Sequence, residues 1–455
     1  MYQKILKNIG LISFLPILVL GIISRLNVLN NSSLWYDEAF SGIMVREDLN
    51  GIFSIIAQDR VHPPLYYLLL KLWTAILENA ELPLKGFSFI FGVGLIIASY
   101  YLIKRLIGTK AALITSGIFS LSPFFILYSL EARSYIMLAL EVLVAVVLFL
   151  KIYSTKFKDI KSLINLRYFK YLAVVSILMI FTHYLSISLI LSFGVFFVLR
   201  LFPKLEKLMW IAMAAILALI LFKGMISNGD YRIFPKNITH TSWLSDAQPL
   251  EIGEVLYSFI FGLDNQAISK QPVFKFNFIE NLTPVFIVLL VLVIIFILKG
   301  FDEKNKVVKG ISKLLLFNIV AVTIVSLFGI NIFLPRYLIF LSVVFIVWIG
   351  IYVSRQDLKF IITSAAIYLL LLTQLNWANS NKVFNNIEEL RAGAESSRRV
   401  VVESPFDYLV LKYYLNDHRN LYFLDSDYWH IQETPWPFFR KSQITDFTTD
   451  SDLRP

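Results

Sequence analysis

The chain has 455 residues, of which 57% are hydrophobic and only 16% charged, with a mean hydropathy of +0.68. A soluble protein carries about a quarter charged residues, so lipid must be the solvent for much of this apolar surface. Cysteine is absent, which excludes disulfides, thiolate nucleophiles and Cys-ligated metals. The net charge of +10 leaves nucleic acid or membrane topology as its explanation.

Crossing about 30 Å of hydrocarbon takes roughly 17–25 apolar residues. Such runs lie near 10–29, 86–103, 111–128, 135–150, 171–181, 185–199, 208–222, 282–298, 314–330, 337–353 and 360–376. They predict an all-α polytopic membrane bundle of about eleven transmembrane helices. The basic start and apolar run at 1–29 read as a first membrane helix rather than a signal peptide. The short pair 171–181 and 185–199 reads as two tilted helices meeting at Thr182-His183-Tyr184, or as one broken helix.

With Lys4 and Lys7 in the cytoplasm, the inner segments are 1–9, 104–110, 151–170, 200–207, 299–313 and 354–359. They hold 21 Lys and Arg in 65 residues. The outer segments 30–85, 129–134, 182–184, 223–281 and 331–336 hold 11 in 130. That is about a fourfold difference in density, in the direction of the positive-inside rule. Topology therefore accounts for the basic excess, and no nucleic-acid partner is expected. The expected location is the plasma (inner) membrane, with an extracytoplasmic C-terminal part.

Leu65 to Glu78 (LYYLLLKLWTAILE) spans 14 residues, about 21 Å as a helix. It is read as an interfacial helix, because counting it as a span would move Lys104, Arg105 and Lys110 outside. The outer loops 30–85 and 223–281 are long, and Val255 to Leu263 suggests a second interfacial helix. After Trp377 the composition turns polar, dividing the chain into a membrane domain (1–376) and a small α/β domain (377–455). In that tail a strand (Arg399 to Glu403), a helix (Phe406 to Leu415) and a strand (Leu421 to Leu424) are expected. No repeat, P-loop or GxGxxG is present.

Seven charged or titratable residues fall on the outer side in this topology. Asp37 and Glu38, adjacent carboxylates in LWYDEA, read as a general base or cation ligand and a group that steadies a second site residue, or as solvated interfacial acids. His62 precedes Pro63-Pro64, either an incidental helix cap or a phosphate contact. Glu131 and Arg133 stand where two spans meet the surface, as a structural pair or as a catalytic acid and an anion-binding cation. His183 sits at its helix junction, and Arg336-Tyr337 follows Pro335. Together they suggest one outward-facing pocket, with acids for chemistry and guanidinium forks suited to phosphate.

The order WYDEA, HPPLYYLL, SLEARSY, THY and PRY resembles membrane glycosyltransferases of the GT-C fold over about residues 1–350. It is most similar to the dolichyl-phosphate-mannose protein mannosyltransferase and lipid A aminoarabinose transferase group. The resemblance implies a polyprenyl-phosphate sugar donor and transfer to a lipid, glycan or protein acceptor on the extracytoplasmic face. It implies Asp37, Glu38 and Glu131 as catalytic residues. Arg133, Arg336, His62, His183 and Tyr337 are the candidates for the donor phosphate. A divalent cation such as Mg or Mn could assist, with Asp37 and Glu131 as ligands. Here Tyr66-Tyr67 replaces the Gly-Lys that follows HPP in the protein mannosyltransferases, and His62 replaces the lysine of the aminoarabinose enzymes. The competing readings are a transporter or lipid flippase, which would favour inverted repeats, and a non-enzymatic membrane assembly protein.

Overall fold

The computed structural model describes residues 2–29, 34–59, 61–77, 81–227, 230–232, 246–262, 274–276, 283–373, 375–377, 400–402, 404–415, 421–424 and 444–445. It opens with α1 (Tyr2–Leu29), followed by α2 (Tyr36–Arg46), α3 (Leu49–Asp59) and α4 (Leu65–Leu77). The bundle continues with α5 (Glu81–Leu106), α6 (Thr109–Leu121), α7 (Pro123–Tyr128) and α8 (Tyr135–Ser154). Next come α9 (Ile160–Ile164), α10 (Arg167–Thr182), α11 (Ile187–Leu201), α12 (Lys204–Ile226) and α13 (Glu251–Phe261). After β1 (Phe274–Phe276) follow α14 (Thr283–Phe301), α15 (Lys306–Leu327), α16 (Ile339–Val353) and α17 (Leu358–Thr373). Last are β2 (Leu375–Trp377), β3 (Val400–Val402), α18 (Pro405–Tyr414), β4 (Leu421–Leu424) and β5 (Ile444–Thr445).

The chain is a mostly helical, multi-pass membrane protein. Among the described residues, Leu82–Leu106, Tyr135–Ser154, Tyr184–Leu201, Lys204–Ile226 and Lys306–Leu327 are long and apolar enough to cross a membrane. Shorter apolar helices include Gly10–Leu26, Thr109–Leu121 and Ile339–Val353. Burial sorts them. Helix α16 is apolar on all sides and almost wholly buried, so it lies inside the bundle. Helix α12 leaves Leu208, Ile211, Leu219 and Phe222 exposed, a surface that only lipid can solvate.

Two breaks shape the bundle. The run 111–128, read from the sequence as one span, divides into α6 and α7 at Ser122-Pro123. Proline has no N–H for the preceding turn, and it drives the residue before it out of the helical region. Ser122 is accordingly extended, at φ −63° and ψ 123°. The second break is His183, extended at φ −160° and ψ 121°, which separates α10 from a short 3-10 turn and α11. The two-helix reading of that pair is the one the structure shows.

Helix α4 is buried on one side only. Tyr66, Tyr67, Leu70 and Thr74 are buried, while Leu72 and Ile76 face outward. In the tail, β3 and β4 pair in parallel with Val400 opposite Leu421, and β5 joins β4. Parallel neighbours need a crossover, and α18 lies between β3 and β4 in the chain. Helix α18 also seats on α2. Arg46 donates to the Tyr413 carbonyl at 2.9 Å and stacks over its ring at 4.2 Å. The Leu34 N–H donates to Tyr414 Oη at 2.9 Å.

Gly42 makes that seat possible, because a Cβ there would lie 2.5 Å from the Tyr413 ring. A Gly42→Val substitution is therefore expected to separate α2 from α18. Overpacking of this kind costs about 1–3 kcal/mol, which thermal unfolding in detergent would register as a lowered midpoint.

Candidate active site

Five segments remote in sequence supply the site: the start of α2, the turn before α4, the α7–α8 loop, the α10–α11 junction and the turn before α16. Trp35 is extended and starts α2, and Asp37 and Glu38 occupy its first turn, where the helix dipole favours carboxylates. Glu38 is buried and fully engaged. Its Oε2 accepts the Trp35 N–H at 3.2 Å and lies 3.9 Å from Lys85 Nζ. Its Oε1 accepts the Ala132 N–H at 3.0 Å. Glu38 thus ties α2 to the loop that carries Glu131 and Arg133.

Asp37 is partly exposed and stands 3.8 Å from Arg336. The Arg336 guanidinium lies 5.7 Å from the Trp35 and Tyr337 rings, which flank it. Arg133, also buried, donates to Tyr67 Oη at 3.1 Å and to the Asp37 carbonyl at 3.4 Å. It also donates to His62 Nε2. Arginine has no acceptor, so Nε2 of His62 must carry the lone pair and Nδ1 the proton. Nδ1 then donates to Asp59 at 2.7 Å. The Asp59 carboxylate also accepts the backbone N–H groups of Val61 and His62. The result is a chain from Asp59 through His62 to Arg133.

Burial, and then the charge of Arg133, hold the His62 imidazole below its ordinary value, with Asp59 opposing. His183 is pushed down to about 3 by burial and by its neighbours His62 and Arg133. Both histidines are neutral at pH 7, so among the described residues the cationic charge comes from Arg133 and Arg336, with Lys85 beside Glu38. His183 Nδ1 accepts the Leu185 N–H at 3.3 Å, which leaves its Nε2–H as a donor. Glu131 is pushed well above the usual carboxylate range, first by burial and then by Glu38 and Asp37. Its Oε1 is buried without a hydrogen-bond partner.

The seven residues read from the sequence therefore converge, with Tyr337 beside Arg336. Sequence reasoning did not single out Tyr67, Asp59 or Lys85. Asp59 was the most accessible of these, since it stands three residues before His62, the spacing of a local carboxylate–imidazole pair.

Asp37 and Glu131, the pair expected to hold a divalent ion, both belong to this pocket. Magnesium keeps six ligands and is held through one or two carboxylates. Among the described residues no group of three or more His, Asp and Glu could hold a metal. Asp37, one of the two expected ligands, stands 3.8 Å from Arg336.

Lowering the pH below about 6.5, the ordinary imidazole value, is expected to weaken the site. The unfolded chain then binds more protons at His62 than the folded one, so stability falls as pH falls. Protonation also places N–H against Arg133. The activity of this site should show an acid limb that His62→Gln flattens, because an amide oxygen accepts from Arg133 at any pH. Initial rates between pH 5 and 8 would check this.

With this geometry fixed, the comparisons with known proteins bear on it. Residues 61–227 match the dolichyl-phosphate-mannose-protein mannosyltransferase family. That segment contains His62, Glu131, Arg133 and His183, and it lies between Asp37-Glu38 and Arg336 in the chain. The likeness read from HPPLYYLL, SLEARSY and THY thus has an independent counterpart. No curated protein matches. Among solved structures, the apo form of the Archaeoglobus fulgidus oligosaccharyltransferase is similar, at 15% identity and a TM-score of 0.45. The similarity covers 90% of this chain and 60% of that one.

Proposed function

We propose that the protein is a membrane glycosyltransferase that moves a sugar from a polyprenyl-phosphate donor to a hydroxyl or amine acceptor on the extracytoplasmic face. The observation that carries this reading is the approach of Asp37 to Arg336 at 3.8 Å, across 299 residues of chain, with Arg133 alongside. A proton acceptor and two phosphate-binding guanidiniums then share one pocket.

In the proposed reaction the Asp37 carboxylate takes the proton of the acceptor. The acceptor atom forms its bond to the anomeric carbon as the bond from that carbon to the phosphate oxygen breaks. Polyprenyl phosphate leaves with the electron pair, and Arg133 and Arg336 stabilise its growing charge. One displacement inverts the sugar carbon. Glu131, kept protonated by its surroundings, donates a hydrogen bond to the sugar or phosphate. No step is routed through a metal.

The test is a panel of tritiated polyprenyl-phosphate hexoses and pentoses supplied to the purified chain in nanodiscs with membrane extract as acceptor. Transfer of label from at least one donor supports the reading. Solute movement in vesicles with no donor consumed would favour a transporter instead.

A further inference from the structure

Arg25 lies in α1, outside the pocket, and is fully buried at 0% exposure. An arginine among apolar spans needs acceptors, and every acceptor it finds here is uncharged. Nε donates to Ser129 Oγ at 2.9 Å. One terminal nitrogen donates to the carbonyls of Gly21 and Ser120, each at 3.0 Å. The other donates to the carbonyls of Phe119 and Phe125, at 3.0 and 3.4 Å. The five N–H donors of the fork are all used.

The choice of acceptors gives the arrangement a purpose. Phe119 and Ser120 belong to the last turn of α6, and Phe125 belongs to α7. The Pro123 break orphans carbonyls at the α6 end, where the helix dipole favours a cation. Ser129 is the first residue after α7, and its Oγ hands the interaction on to the Phe125 carbonyl. Space is tight on both sides. A Cβ on Gly92 of α5 would lie 2.2 Å from Ser129 Oγ, and one on Gly21 would lie 2.4 Å from Ser120 Oγ. The loop from 129 to 134 is thus anchored twice, by Arg25 at Ser129 and by Glu38 at Ala132. Glu131 follows the first anchor by two residues, and Arg133 follows the second by one.

We propose that Arg25 is a positioning residue for the active site: by clamping Ser129 and the ends of α6 and α7, it sets where Glu131 and Arg133 stand relative to Asp37. This rests on the glycosyltransferase reading for its effect on rate, but the clamp itself does not.

The experiment uses the full chain in nanodiscs as wild type, Arg25→Lys and Ser129→Ala. It measures deuterium exchange of the peptide spanning 129–134, together with kcat and KM for the polyprenyl-phosphate sugar that the wild type uses fastest in the tritiated panel. Arg25→Lys keeps the charge but loses the fork. Ser129→Ala removes one link, and it carries the test should Arg25→Lys fail to fold. Exchange in 129–134 is expected to rise about tenfold or more. The rate constant kcat should fall at least about tenfold with donor KM within about twofold, as small misplacements of catalytic groups do. Unchanged exchange overturns the clamp. Raised exchange with unchanged kcat overturns the positioning role and leaves Arg25 as fold support only. If the wild type consumes no donor, the glycosyltransferase reading fails, and the exchange result still decides whether Arg25 holds the loop.

Discussion

Replacing Asp37 with asparagine is expected to lower kcat about 10²- to 10⁴-fold, the usual worth of a positioned general base. The substitution is nearly isosteric, and α2 keeps its anchors, because Glu38 bonds Trp35 and Ala132 independently of the Asp37 side chain. Donor KM should stay within a few-fold, since the guanidiniums of Arg133 and Arg336 remain in place. The amide cannot accept a proton, so raising the pH should not restore the rate. Initial rates of label transfer at saturating donor would check the magnitude. A variant within about threefold of wild type would remove Asp37 from the base role.

A similar loss is expected for Arg133→Lys, by a different route. Arg133 spreads its fork over Tyr67 Oη, the Asp37 carbonyl and His62 Nε2. Lysine offers a single nitrogen, so it cannot serve these acceptors and a donor phosphate together. Buried acceptors left unpaired cost about 1–3 kcal/mol each. The variant should therefore lose thermal stability as well as activity, with kcat/KM down about 100-fold or more. Part of that loss should appear in donor KM, which separates it from Asp37→Asn. Supplying guanidinium from solution should rescue an Arg133→Ala variant in part, read as rate against guanidinium concentration.

The five helices of span length were legible because lipid demands long apolar runs, and the charged cluster was legible because charges near span ends are costly unless they face a cavity. The division of α6 from α7 was missed because the run 111–128 was read by its length and apolar content, although Pro123 marks the break in the sequence. The helical bounds of α4 were legible from the apolar run after Pro63-Pro64. The Asp37–Arg336 approach had no local signal, since no periodicity links residues 299 apart. Glu38 was expected to steady another group, but its bond to the Ala132 N–H depends on the fold of a distant loop. Arg25 was not singled out in the sequence, and its bonds need the carbonyls that the Pro123 break releases.

The central claim is that this pocket transfers sugar from a polyprenyl-phosphate donor. Its most direct test is to reconstitute the chain in proteoliposomes with a tritiated donor and measure polyprenyl phosphate release against labelled product. The account predicts one polyprenyl phosphate released per sugar transferred by the wild type, and about 100-fold less of both for Asp37→Asn. Equal release and transfer by the two proteins would contradict it.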